Sequence, residues 1–145
     1  MNLFAYGSLA IPEVLQALTG KVFSAQPARL SGYRRFSLQE RIYPGIIPYK
    51  GGWTDGQLFT DLDASSAQLV ASFEDSIYSP RTVTVYTDRG ESHDATSYVV
   101  DLPSYGILVD TDWSVDVFKD SHLAAYIDMC LEFRRRFWAN SASPS

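Results

Sequence analysis

Hydrophobic residues open the chain in an unbroken run, Leu3-Phe4-Ala5-Tyr6, that stops at Gly7. Such a run predicts a buried strand ending in a turn. A helix is predicted next: Pro12 suits a first helical turn, Val14, Leu15 and Leu18 share one face, and Gly20 supplies a stop. Residues 25–50 set Pro27, Gly32, Pro44, Gly45 and Pro48 among apolar and aromatic residues, which predicts two strands with bends and no helical period. Gly51-Gly52 reads as a turn, and the alternation from Gln57 to Leu62 reads as a further strand. Ser65 and Gln68 have capping-box spacing, and Leu69, Val70 and Phe73 form the buried stripe of a short helix ending at Glu74. The β-branched segment Arg81-Thr82-Val83-Thr84-Val85-Tyr86 predicts a strand, with Ala95 to Val100 as its hairpin partner across Asp88-Arg89-Gly90. From Trp113 the period becomes helical through Val117, Leu123, Ile127, Cys130 or Leu131, and Arg134 to Phe137, with a break near Asp120-Ser121. A long C-terminal helix is therefore expected to cover the sheet. Residues 140–145 are small and polar, so a flexible tail is expected there, leaving residues 1–139 as one domain.

Composition narrows the picture. The 145 residues are 46% hydrophobic, ordinary for a globular protein, and a chain near this length buries on the order of 70% of its unfolded surface. The formal charge of −5 argues against nucleic acid as a partner, because such affinity comes from cations neutralising phosphates. One cysteine, Cys130, makes no internal disulfide, and the two histidines, His93 and His122, give no metal-ligand spacing. No metal and no cofactor are expected, and a reducing cytoplasm fits best. No leader pattern and no run of about 18 apolar residues is present, so neither secretion nor membrane association is expected. A monomer is expected.

Two features carry candidate chemistry. In Tyr6-Gly7-Ser8-Leu9 a strand runs through Gly-Ser toward a helix, exposing backbone N–H groups where anions bind, and the glycine permits close approach. Ser8 lacks the flanking glycines of a nucleophile elbow, and neither histidine stands in a triad context. Glu74 follows the apolar Leu69, Val70 and Phe73 face; partial burial there would raise its pKa toward what a general base needs. Other candidates read as structural. Arg134-Arg135-Arg136 would complement a helix C-terminus, Trp113 and Trp138 would pack, and Cys130 would act as a small hydrophobe. Tyr33, Tyr43, Tyr78 and Tyr98 are core residues or place hydroxyls in a cavity.

Taken in order with their flanks, these features resemble the gamma-glutamylcyclotransferase-like family, which includes gamma-glutamylamine cyclotransferases and plant avirulence-induced-gene proteins. The matching segments cover most of the chain. They are Phe4-Ala5-Tyr6-Gly7-Ser8-Leu9, Leu30-Ser31-Gly32-Tyr33-Arg34, Tyr43-Pro44-Gly45-Ile46-Ile47-Pro48 and Gly56-Gln57-Leu58-Phe59. Further along come Phe73-Glu74-Asp75-Ser76-Ile77-Tyr78, Arg81-Thr82-Val83-Thr84-Val85, Ala95-Thr96-Ser97-Tyr98-Val99 and Trp113-Ser114-Val115-Asp116-Val117-Phe118. Asp75 stands where many members have glycine, and Pro80 where an arginine often precedes the one kept as Arg81.

The resemblance implies an α+β fold, a small β-barrel of mixed strand directions with helices outside and a cavity at one mouth. It also implies that Tyr6, Gly7, Ser8 and Leu9 bind the substrate through backbone amides and that Glu74 is the catalytic acid/base. The implied reaction cyclises a gamma-glutamyl amine or gamma-glutamyl amino acid to 5-oxoproline with release of the amine, a transferase or lyase chemistry whose nucleophile is the substrate's own α-amine. Two other readings compete. One is a non-catalytic small-molecule binding protein using the same cavity, with Asp75 and Pro80 as signs of drift; the other is acyl transfer or hydrolysis through Ser8. Residues 101–112 are expected to shape the leaving-group end.

Overall fold

A computed structural model describes residues 1–141 of the protein. In chain order its elements are β1 (Leu3–Ala5), a 3-10 turn (Ser8–Ala10), α1 (Pro12–Thr19), β2 (Ala25–Leu38), β3 (Gly45–Phe59) and α2 (Ala64–Phe73). Then follow β4 (Tyr78–Thr87), β5 (Ser92–Val100), a second 3-10 turn (Leu102–Ile107), β6 (Leu108–Val109), α3 (Val115–Ser121) and α4 (Leu123–Ser141).

Five strands close on themselves in the order β3-β1-β5-β4-β2, with β2 pairing back to β3, and β6 is added to the outer end of β2. Among the described residues only β1 and β5 run parallel, meeting at Leu3↔Thr96; the other pairings are antiparallel. The barrel of mixed directions implied by the family resemblance is therefore present. Phe4, Leu30, Ile46, Leu58, Val85 and Val99 fill its interior. Alternate residues of β1, Leu3 and Ala5, face the other way into a second apolar cluster with Val14, Leu18, Val70, Phe118, Tyr126 and Cys130 from the helices. Burial on both faces explains why β1 reads as a continuous apolar run. Each fully buried side chain of this kind contributes about 1.5–3 kcal/mol.

Several local expectations need correction. Gly51-Gly52 does not end a strand, because β3 runs through it. The register instead jumps from Ser31↔Trp53 to Tyr33↔Pro48, so residues 49–52 bulge opposite Gly32. Gly32 (φ +82°) and Gly51 (φ +80°) take the left-handed backbone that this bulge demands. The cap of α2 is Asp63, not Ser65: its carboxylate accepts from the Ser66 N–H at 3.3 Å and from Ser66 Oγ at 2.6 Å.

In α1, Pro12 and the left-handed Gly20 bound the helix as expected, and Val14, Leu15 and Leu18 are buried. The C-terminal helical region breaks at His122, whose N–H bonds Phe118 O. Because α4 continues to Ser141, Arg134, Arg135 and Arg136 lie in its body and not in its last turn. Arg135 and Arg136 pair with Glu132 at 2.6 and 2.8 Å, and Trp138 is exposed instead of packed. The helix takes in Asn140 and Ser141 of the expected tail; residues 142–145 lie outside the described residues. No helix among the described residues is long and apolar enough to cross a membrane.

Candidate active site

At the end of β1 the chain is pinned from two sides. Tyr6 OH donates to Tyr98 O at 2.6 Å, and Arg35 Nη1 donates to Tyr6 O at 2.8 Å while Arg35 Nε pairs with Asp112 at 2.7 Å. Gly7 then turns the chain beneath Pro44: a Cβ on Gly7 would fall 2.7 Å from Pro44 Cδ. The 3-10 turn that follows uses Ala10 N–H to Gly7 O and Ile11 N–H to Ser8 O. The N–H groups of Ser8 and Leu9 find no acceptor among the described residues, as first-turn donors lack an intrahelical partner. Ser8 Oγ donates to Tyr126 OH at 3.0 Å. Burial raises that phenol's pKa, and neither histidine borders the space, so the Ser8 hydroxyl has no histidine partner.

Glu74 forms the C-cap of α2, its N–H bonded to Val70 O at 3.1 Å, with extended backbone (φ −63°, ψ 139°). It borders a cavity of about 290 Å³ that is also bordered by Tyr6, Gly7, Ser8 and Leu9. The five residues singled out from sequence thus meet around one space. Three of the four candidate tyrosines, Tyr43, Tyr78 and Tyr98, border it, whereas Tyr33 packs on the barrel interior. Residues 101–112 do not border it. Their 3-10 turn leads to β6, which pairs with Ser37 and Leu38 at the outer end of β2. The wall opposite the loop comes instead from Phe73 and from Tyr126, Met129 and Phe133 of α4.

Burial pushes the Glu74 carboxyl up from 4.5 to about 8, and the neighbouring Asp75 charge pushes it in the same direction. Glu74 retains some solvent access, yet its carboxylate accepts no hydrogen bond from the described residues. The last carbonyls of α2 add to the cost of a negative charge there. Its field raises the phenol pKa of Tyr98, after burial, to about 12. A carboxyl titrating at about 8 has both protonation states populated around neutral pH, the acid form in excess, so one group can both accept and return a proton.

Asp75 behaves in the opposite way. Burial pushes its pKa up, but hydrogen bonds from Tyr43 OH and Arg41, with the Arg41 charge, bring it below the usual carboxylate range. Arg41 Nε donates at 3.0 Å, Tyr43 OH donates to the same oxygen, and Ile77 N–H donates to the other at 3.2 Å. The Asp75 charge is thus held fixed beside Glu74. Asp75→Asn is expected to lower the Glu74 pKa while burial keeps it above 4.5. The acid limb of kcat/KM then moves to lower pH, and an unmoved limb in a pH–rate profile would remove Asp75 from this role.

The family model for gamma-glutamyl cyclotransferase, AIG2-like proteins matches residues 3–115. The chain belongs to that family. Among curated AIG2-like relatives, AIG2-like protein C of Arabidopsis thaliana is 37% identical over 99 residues, 68% of this chain and 58% of that protein. The alignment therefore spans less than two thirds of that relative. AIG2-like protein D of the same plant is 28% identical over 138 residues, 91% of this chain and 88% of that protein. A solution structure of an Arabidopsis thaliana protein superposes with a TM-score of 0.66 at 25% identity, covering 97% of this chain and 84% of that one. A gamma-glutamyl cyclotransferase superposes with a TM-score of 0.54 at 21% identity, covering 69% and 66%; this likeness shows the shared fold. In this AIG2-like chain Pro80 is exposed on β4 opposite Tyr98 and does not border the cavity.

Sequence reasoning missed Tyr126, Met129 and Phe133 as cavity wall, although they lie on one helical face with Cys130. It also missed Arg41, whose link to Asp75 joins residues 34 apart.

Proposed function

We propose that this AIG2-like protein is a cyclotransferase that converts a gamma-glutamyl amine or gamma-glutamyl amino acid to 5-oxoproline and a free amine or amino acid, with Glu74 as general acid/base. The observation carrying this reading is one carboxyl, poised near neutrality and free of protein hydrogen bonds, in the same small cavity as the unpaired N–H groups of Ser8 and Leu9.

Glu74 carboxylate takes a proton from the substrate's α-ammonium, whose own free α-carboxylate holds its pKa above the ~8 of a peptide α-amine, so a carboxyl raised to about 8 is a better base for it than an ordinary one. The freed α-amine attacks the γ-carbonyl carbon, forming the new ring C–N bond. The tetrahedral oxyanion, or the substrate's α-carboxylate, falls to the loop N–H donors of Tyr6 to Leu9. Glu74 returns the proton to the leaving nitrogen and the old C–N bond breaks; the second proton of the ring nitrogen then passes through the Glu74 carboxylate to the departing amine, which leaves as an ammonium, so every atom is accounted for without a cofactor. Ring closure by an internal nucleophile recovers roughly 7–11 kcal/mol of barrier when the chain is held bent, which explains how so sparse a site suffices.

The test is a screen of gamma-glutamyl amides for 5-oxoproline release by the purified chain. Turnover of at least one member is expected. Ligand uptake by calorimetry with no 5-oxoproline would replace this reading with that of a binding protein, and a covalent Ser8 adduct in mass spectrometry would replace it with acyl transfer.

A further inference from the structure

The active-site loop is held from behind by a cation that does not border the cavity. Tyr6 and Gly7 face two spaces, the cavity with Glu74 on one side and, on the other, a surface cleft that also takes in Arg35 and Trp113. All three nitrogens of the Arg35 guanidinium are engaged. Nε and Nη2 pair with the two oxygens of Asp112 at 2.7 and 3.2 Å, and Nη1 donates to Tyr6 O at 2.8 Å. A bidentate carboxylate fixes the plane of the guanidinium, so its remaining donor has a set aim. Asp112 is anchored in turn: the Trp113 N–H donates to it at 2.7 Å, and the Trp113 indole N–H donates to Ile42 O at 2.7 Å, one residue before Tyr43. The segment that ends at Asp112 thus reaches the site through Arg35.

Peptide geometry carries this contact to Gly7. Tyr6 O and the Gly7 N–H belong to one peptide unit, no peptide bond among the described residues is cis, and in a planar trans unit these two groups point opposite ways. With Tyr6 O turned to Arg35 behind the loop, the Gly7 N–H is turned to the cavity side. Gly7 is buried, and its N–H, like those of Ser8 and Leu9, finds no acceptor among the described residues. Buried backbone donors are seldom left unpaired, and a ligand in the cavity is the acceptor that satisfies this one. A cation bonded to the carbonyl end also draws electron density through the amide, which strengthens its N–H.

Resting on the cyclotransferase reading and deepening it, we propose that Arg35 is a positioning residue of this site: through the Tyr6–Gly7 peptide it aims and strengthens the Gly7 N–H as a donor to the γ-carbonyl oxygen of the substrate. Asp112 holds Arg35 for that task. A rigid, polarised donor adds most where charge grows during the reaction, and that is the γ-carbonyl oxygen and not the α-carboxylate, whose charge is constant.

The first arm of the test is kinetic, with the best conjugate from the gamma-glutamyl amide screen. Arg35→Met is expected to lower kcat about 10- to 100-fold with KM changed less than about threefold. Arg35→Lys, which keeps a cation near Tyr6 O, is expected to recover about threefold or more of that loss. Asp112→Asn, at an exposed carboxylate, is expected to lower kcat about 3- to 10-fold, and it decides the matter if Arg35→Met lacks a cooperative melt. Arg34→Met is the control, since Arg34 pairs with Asp110 at 2.6 Å, lies over the Phe36 ring and makes no hydrogen bond to the loop; kcat should not change.

The second arm needs no turnover. The ring carbonyl of 5-oxoproline carries the former γ-carbonyl oxygen, so L-5-oxoproline is expected to shift the Gly7 amide proton downfield in NMR titrations of the wild type. L-proline, which has the carboxylate but no ring carbonyl, should not. Unchanged kcat in the Arg35 and Asp112 variants, a loss carried by KM, or equal Gly7 responses to the two ligands overturns the inference and leaves cyclotransfer standing. The expected Gly7 shifts with no 5-oxoproline from any conjugate overturn cyclotransfer and keep Gly7 as the carbonyl donor. Neither shift nor turnover overturns both.

Discussion

Glu74→Gln is expected to reduce 5-oxoproline release at least ~10²-fold near neutral pH, because the amide keeps the shape of the side chain but neither takes nor returns a proton. Wild-type kcat/KM should fall at high pH as the substrate's α-ammonium deprotonates, and should rise about tenfold per pH unit below about 8, where Glu74 titrates. The variant should lose that limb. Full activity in the variant would exclude Glu74 as the acid/base.

The same substitution has a stability signature of opposite sign. Because the folded-state pKa of Glu74 is raised from 4.5 to about 8, the folded protein binds more protons than the unfolded chain between those values. Stability from this group is therefore highest below 4.5, falls as pH rises, and levels off above about 8. The amide of the Glu74→Gln variant never ionises and escapes that loss. Melting temperatures should place the variant above the wild type at alkaline pH and level with it in acid. A gain in stability paired with a loss of turnover is the pattern expected when a fold tolerates an unfavourable charge for chemistry. A purely structural Glu74 would show no such pairing.

How far these features were readable from the sequence follows the range of the interactions. The hairpin of β4 and β5 is visible because β-branched residues dominate β4 and Val83, Val85 and Thr87 are buried at period two before the Asp88-Arg89-Gly90 turn. Helix α1 was visible because Pro12 and Gly20 act on their own backbone. The barrel itself was reached through family resemblance, since its closure depends on pairs such as Leu3↔Thr96 that no local pattern encodes. Gly51-Gly52 misled because a pair of glycines serves a bulge as well as a turn, and only the partner strand decides which. The strand through Gly56 carries a related signal: a Cβ there would stand 2.3 Å from Ala5 O, so this glycine permits β1 to close on β3.

Glu74 and the Tyr6–Leu9 loop were legible at the site, each as a residue type at the end of an element. The apolar wall was not. Tyr126, Met129, Cys130 and Phe133 recur at helical spacing, and that pattern is the same whether the face meets a core or a cavity. Asp75 looked like an isolated extra charge until Arg41 and Tyr43, brought over by the β2–β3 connection, were placed against it. Its fixed charge beside Glu74 gives the departure from glycine a physical consequence, a further upward push on the Glu74 carboxyl.

Gly7→Ala is expected to lower kcat/KM about 10²-fold while costing about 1–3 kcal/mol of stability. The new methyl would lie 2.7 Å from Pro44 Cδ and 2.9 Å from Cγ, so either the loop or Pro44 must give way. The loop is held by Tyr6 OH on Tyr98 O and by Arg35 on Tyr6 O. Pro44 is a rigid ring whose carbonyl accepts from Tyr78 OH, and its neighbour Tyr43 holds Asp75. Movement of either partner displaces groups that border Glu74, and a shift of about 1 Å in a reacting geometry is enough for a loss of this size. Gly106→Ala is the control, since nothing lies within 4 Å of its added methyl, and it should leave rate and melting temperature within error. Comparable behaviour of the two alanine variants would mean that the Gly7–Pro44 contact does not position the loop. Loss of turnover in Gly7→Ala with a retained cooperative melt would tie the contact to the chemistry and separate it from folding.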